Sequence, residues 1–158
     1  VDANTRDMRG TPLLHWAATN GHVGVAAALI KAGADVNAVN LERHTALHVA
    51  VEGGARCNGV VELLVGKRAD VHAKDEILNT PLVNAARKGT REAAAQLLLA
   101  GADKNYVVGR LAVLQWAAIS WNKPVYELLK LKGAKPVAQF NEVTKEDEFP
   151  HAEFPPQE

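Results

Sequence analysis

Cysteine is nearly missing from this chain. The single Cys57 cannot close an internal disulfide, which excludes a disulfide-stapled scaffold and suits a reducing compartment inside the cell. Aromatics are scarce at 5%, which argues against a sandwich built on a large aromatic core. Neither charge is in surplus, because 18 basic residues balance 18 acidic ones. A duplex-binding module needs a basic excess, so nucleic acid is not an expected partner. Long apolar runs are absent too. The stretch "VGVAAALI" falls well short of the roughly 20 residues that span a bilayer, so no direct membrane insertion is expected. What remains is ordinary for one folded domain: 158 residues, 47% hydrophobic and 23% charged. Alanine stands at 27 positions, and so many small side chains suit helices packed at close range.

The sequence is periodic. Asp2, Asp35, Asp70 and Asp103 open the related pieces "DANT", "DVNA", "DVHA" and "DKNY", at spacings of 33, 35 and 33 residues. The small pairs Ala17-Ala18, Ala50-Val51, Ala85-Ala86 and Ala117-Ala118 keep the same rhythm, at 33, 35 and 32. Two independent markers on one spacing predict a stacked solenoid, in which each unit buries its apolar face only against its neighbours.

Within a unit the order is turn, helix, tight loop, helix, turn. In the first, Asp7 to Gly10 is turn-forming and Pro12 suits a first helical position. Leu13, Leu14, Ala17 and Ala18 make one apolar helical face, which Gly21 closes with a left-handed cap. Val25, Ala26, Leu29 and Ile30 make the stripe of a second helix, which ends at Gly33.

At these strings the chain resembles ankyrin repeats. "GTPLLHWAATNGH" with "LIKAGADVNA", "HTALHVAVEGG" with "VVELLVGKRADVHA", and "NTPLVNAARKG" with "QLLLAGADKN" carry the likeness. "LQWAAISWNKPVYELLKLKGAK" is an eroded fourth copy. The resemblance covers roughly residues 2–137. It implies an all-α solenoid of antiparallel helix pairs with projecting β-hairpin-like turns, and a concave face that binds other proteins. The expected divisions are a half-hairpin at 1–6, units at about 7–39, 40–74, 75–106 and 107–137, and an acidic extended tail at 138–158. "DANT" matches the end of a preceding unit, and no initiator methionine is present, so upstream sequence is expected.

Departures from the family pattern are informative. Pro12 stands where threonine is usual, and Leu13 where proline is usual. Arg43, Arg68, Leu78 and Trp121 occupy positions the family gives to glycine, and Lys135 replaces an aspartate. Val83 stands where His15 and His48 stand in earlier units. Two extra residues in "GARCNG" are expected to lengthen an inter-helix loop and to leave Cys57 as an exposed thiol.

Residues suited to catalysis or metal binding are few. His44 and His48 are four apart, the spacing of two metal ligands on one helix face. The repeat register, however, puts His44 in a turn and only His48 in a helix. The resemblance implies that His15 and His48 are structural, tying a turn to its neighbour, and that His72 makes a hairpin bond in place of asparagine. No glycine-rich phosphate loop and no cysteine–histidine pair occur. No catalytic, cofactor or metal site is therefore expected. Asn37, at the end of "LIKAGADVN", is similar to ankyrin asparagines that an asparaginyl hydroxylase modifies, and is also suited simply to stabilising its own hairpin.

The expected function is protein–protein interaction through a surface. Tip positions read Met8 and Arg9, then Leu41, Glu42 and His44, then Glu76, Ile77 and Asn79. Groove-facing helix positions include Trp16, Val49, Glu52, Asn84, Arg87, Lys88 and Trp116, with both tryptophans expected to pack between inner helices. Met8, Leu41 and Ile77 at successive tips form an apolar row with a charged rim of Glu42, Glu76, Arg87 and Lys88. In the tail, six acids face one lysine, and the echoes "EFPHA" and "EFPPQ" set Phe149 and Phe154 as partner anchors. Phe140 is expected on the solenoid's own end, drawn there by the basic cluster Arg110, Lys123, Lys130, Lys132 and Lys135. Two roles fit this reading besides a reversible adaptor: a permanent subunit of a larger assembly, and a fragment of a larger enzyme or channel.

Overall fold

The computed structural model describes residues 2–137, and the statements below concern these. Among them eight α-helices fall into four consecutive pairs. They are α1 (Leu13–Asn20) with α2 (Val23–Lys31), α3 (Ala46–Glu52) with α4 (Asn58–Gly66), α5 (Pro81–Lys88) with α6 (Arg91–Leu99), and α7 (Val113–Ile119) with α8 (Lys123–Leu131). Residues 138–158, with Phe140, Phe149 and Phe154, lie outside the described part, as does Val1.

Local chemistry starts and stops these helices. Thr45, Thr80, Thr90 and Asn122 each accept a backbone N–H from three residues on, satisfying a first-turn donor. Pro81 fills the first position of α5, where no N–H is needed. Pro12 is one place earlier than expected: it precedes α1 as its cap residue and offers no side-chain bond. Each helix has seven to nine residues, too short to persist alone in water. Packing must therefore hold them.

That packing is two layers deep. The first helices of the pairs, α1, α3, α5 and α7, stack in order, and the second helices stack beside them. Leu14, Leu47 and Leu82 seal the inner layer, and Leu64, Leu97 and Leu129 the outer one, all essentially buried. Each is worth roughly 1.5–3 kcal/mol of transfer free energy. Ala17, Ala50, Ala85 and Ala117, also buried, let the inner helices approach closely.

The turns repeat as faithfully as the helices. In the first three units Asp7, Asn40 and Asp75 accept backbone N–H groups two and four residues on, fixing each hairpin tip. Single antiparallel bridges, Arg6 to Pro12 and Val39 to Thr45, close two of these hairpins. In the fourth unit Val108 stands at that position, and a true ladder replaces the side-chain acceptor. Strand β1 (Val107–Val108) pairs antiparallel with β2 (Leu111–Ala112) around Gly109-Arg110, both at positive φ.

Asparagine clamps join successive hairpins at three places. Asn4 Oδ1 accepts from Asp35 N–H at 2.8 Å, Asn37 Oδ1 from Asp70 N–H at 2.8 Å, and Asn105 Oδ1 from Lys135 N–H at 2.9 Å. His72 occupies the same place in the third hairpin but bonds through its backbone N–H to Asp70. Its imidazole does not make the expected hairpin bond.

The inserted stretch corrects another expectation. It winds into a 3-10 turn, Ala55–Cys57, and carries the thiol inward. Cys57 is 0% exposed, with Sγ 3.5 Å from the Thr19 carbonyl oxygen of the preceding unit. It fills the seam between units one and two.

Side chains at family glycine positions keep the glycine backbone. Arg43, Arg68, Leu78 and Trp121 have φ of 61°, 63°, 67° and 57°. The turn geometry of the solenoid therefore prevails over the left-handed penalty of about 1 kcal/mol at each.

Candidate protein-binding surface

The hairpin tips line up because hydrogen bonds join one tip to the next. Arg6 donates to the Gly10 carbonyl at 2.8 Å and to that of Val39 at 2.6 Å, linking the first hairpin to the second. Glu76 N–H donates to the Glu42 carbonyl at 3.0 Å, linking second to third. Tyr106 Oη–H donates to the Leu78 carbonyl at 2.8 Å, linking third to fourth. Gly10 lies under Leu41: a Cβ added there would sit 3.4 Å from Leu41 Cγ. The tips form a continuous edge.

Apolar side chains stand along that edge. Met8 is fully exposed, Leu41 is 79% exposed and Ile77 66%. Two neighbours that sequence reasoning passed over, Leu78 and Val107, are exposed as well. Leu78 had been noticed only as a missing glycine. Its left-handed backbone is what turns a leucine outward beside Ile77. Ile119, in register with Thr19, Glu52 and Arg87 on the inner helices, is a further exposed apolar residue.

The polar residues of the rim are tied to one another and to neighbouring units. His44 sits between Glu42 and Asp75, each carboxylate 3.3 Å from one ring nitrogen. Lys88 reaches Glu52 of the preceding unit at 3.8 Å, and the Arg87 guanidinium lies 5.3 Å from the Trp116 ring centre in the following one. Asp75 is buried beneath His44, whereas the exposed Lys88–Glu52 pair contributes about 0–1 kcal/mol and orients more than it stabilises. Glu76 and Arg9 are exposed on the tips.

Two expected groove residues are corrected by burial. Asn79 is 5% exposed, with its N–H on Asp75 and its carbonyl on His48 Nε2. Asn84 is 3% exposed inside α5. Neither side chain reaches the surface. The tryptophans differ from each other. Trp16 is half exposed and donates Nε1–H to Asp7 at 3.2 Å, resting on its own hairpin rather than between helices. The Thr11 amide foremost, with Arg9 N–H and this indole, holds the Asp7 carboxyl below the ordinary carboxylate range. Trp116 donates to the Val108 carbonyl at 3.2 Å and is partly covered.

The histidines serve the framework. His15 Nε2–H donates to the His44 carbonyl at 2.7 Å, and His48 Nε2–H to that of Asn79 at 3.0 Å. His48 Nδ1 accepts from Thr45 N–H at 3.2 Å, and Thr45 Oγ1 accepts from His48 N–H at 3.4 Å. Burial, foremost, pushes both imidazoles below their usual range, so both stay neutral. The His44 and His48 rings stack at 5.7 Å, but their nitrogens are already engaged. Among the described residues no three His, Cys, Asp or Glu side chains gather as a metal site, and no helix is long and apolar enough to cross a membrane. Asn37, singled out for modification, has its carboxamide oxygen on the Asp70 clamp.

Comparison with known proteins matches this architecture. A family model described as ankyrin repeats, in three copies, matches residues 1–75. Neurogenic locus notch homolog protein 2 of Homo sapiens is 35% identical over 137 residues, which is 85% of this chain and 6% of that protein. Neurogenic locus notch homolog protein 1 of Homo sapiens is 35% identical over 141 residues, 87% of this chain and 5% of that protein; the Mus musculus counterpart gives 35%, 87% and 6%. The chain thus spans only a small part of the curated relatives it matches. Ankyrin repeats generally mediate protein–protein interaction and are typically non-catalytic. With the period, the paired helices and the histidine and asparagine ties all in one register, the chain belongs to the ankyrin-repeat family.

Proposed function

We propose that the chain is a non-catalytic interaction module that binds a protein partner along its tip edge and the adjoining ends of the inner helices. The observation that carries this reading is apolar exposure at three successive tips, Met8, Leu41 and Ile77. Turn tips are normally polar, and a contiguous apolar strip rimmed by mixed charge is the composition of a protein interface. Glu42, Glu76, Arg87 and Lys88 supply the rim. Side-chain acceptors at Asp7, Asn40 and Asp75 already fix the tips, so binding orders little backbone there.

The test replaces Leu41 and Ile77 together by serine. The double variant keeps the parent's unfolding curve, because tips add little to the core between units. Its affinity for a partner captured on the parent chain falls by more than about tenfold, as for loss of central apolar anchors. Equal affinity in calorimetry would move the contact to the convex side or to Phe149 and Phe154.

A further inference from the structure

His44 stands where two hairpins meet, with a carboxylate at each ring nitrogen. Nδ1 lies 3.3 Å from Glu42 Oε2 in its own hairpin, and Nε2 lies 3.3 Å from Asp75 Oδ2 in the third. A neutral imidazole carries one N–H and one bare lone pair. Whichever tautomer it takes, one nitrogen then turns a lone pair toward a carboxylate. Only the imidazolium, a donor at both nitrogens, satisfies the two contacts together. His15 and His48 differ: each donates Nε2–H to a backbone carbonyl, and burial keeps both neutral.

The place of this ring gives it leverage. Asp75 fixes the third tip, because its Oδ1 accepts the N–H groups of Ile77 and Asn79. Its Oδ2 faces His44. Glu42 stands beside Leu41 on the second tip, and its carbonyl accepts Glu76 N–H from the third. One imidazole therefore touches both tips, between Leu41 and Ile77. It is 26% exposed, so protons reach it from solvent, whereas the Asp75 side chain is 2% exposed. The other charged or titratable groups around it do not compete for its nitrogens. His48, stacked at 5.7 Å, and His15, bonded to its carbonyl, are neutral. Glu52 on α3 is paired with Lys88, and Arg6 of the first hairpin donates to backbone carbonyls. Arg43 and Glu76 are exposed to water on the tips.

We propose that His44 is a proton-dependent brace of the binding edge: on mild acidification its imidazolium donates to Glu42 and Asp75 together and locks the second hairpin tip to the third. As regulation of partner binding this rests on the reading of the edge given above. The brace itself is tested without a partner, so the two can fail separately. The probe is Glu76 N–H, which bridges the tips; its exchange with solvent is followed by NMR on the full chain. His44→Gln, which cannot become a cation, is the comparison, and it shares any acid loss arising from His15 and His48. The ratio of Glu76 protection, parent over variant, rises about tenfold between about pH 7.5 and 5.5, the weight of one hydrogen bond to a charged group. A ratio that stays constant or falls would overturn the proposal. A second measurement needs no variant. At about pH 5.5 both ring N–H protons of His44 are visible in the parent, held against exchange by the two carboxylates. A ring with one protected proton or none would overturn the proposal as well.

Discussion

His15 and His48 show how much one neighbour changes a buried side chain. Both donate forward from Nε2, which leaves Nδ1 as an acceptor in each. Thr45 supplies an N–H to the second, but Pro12, in the matching place before α1, has neither N–H nor hydroxyl. His15 Nδ1 is consequently buried without a partner. Pro12→Thr supplies both missing groups. A cap and a buried acceptor bond are each worth about 1 kcal/mol, against up to about 1 kcal/mol of lost proline rigidity in the unfolded chain. The net expectation is a gain of about 1 kcal/mol, read as a higher denaturant midpoint with an unchanged slope. An unchanged or lower midpoint would mean that His15 Nδ1 is satisfied in another way.

At the scale of the element, α5 shows what a helix contributes by position. It lies between α3 and α7 in the inner layer and rests on α6 in its own unit. Leu82, fully buried at its start, faces that junction. Leu82→Ala should cost about 2–5 kcal/mol, the range for a large-to-small change in a core that cannot collapse around the gap. Thermal unfolding of the variant checks it, and an unaltered midpoint would refute the assigned register. That register was legible in sequence because apolar spacing and the 33-residue period both reported it. The outward turn of Leu78 was not legible, because a missing glycine by itself does not say whether the turn or the side chain gives way. Burial of Cys57 was equally hidden, since two extra residues look like a longer loop until a 3-10 turn folds them inward. Asn79 looked like a tip residue because its neighbours are; only the Asp75 and His48 bonds show that the chain has turned inward by then. The acceptors Asp7, Asn40 and Asp75, each five positions after a repeat aspartate, were a readable signal.

Across the whole molecule, the two buried imidazoles set an acid limit. Both have folded-state values below the ordinary 6.5, with burial as the main cause. Above 6.5 neither state binds a proton there and stability is flat. As pH falls below it, the unfolded chain takes up protons that the folded chain refuses, so stability drops until the lowered folded values are reached. The melting temperature should hold between about pH 7 and 8 and fall between about pH 6.5 and 5, with a shallower fall in His15→Asn. A melting temperature that rises on acidification in this window would contradict buried neutral histidines. The five side chains in left-handed backbone, Arg110 among them, carry a different consequence. At about 1 kcal/mol each, their strain amounts to a sizeable share of the 5–15 kcal/mol by which a domain is usually stable. The array thus holds an untapped reserve: simple exchange to glycine at Arg43 or Arg68 would release some of it without touching a single packed contact in the core. Until such an exchange is made, that strain narrows the margin left for costly changes along the binding edge.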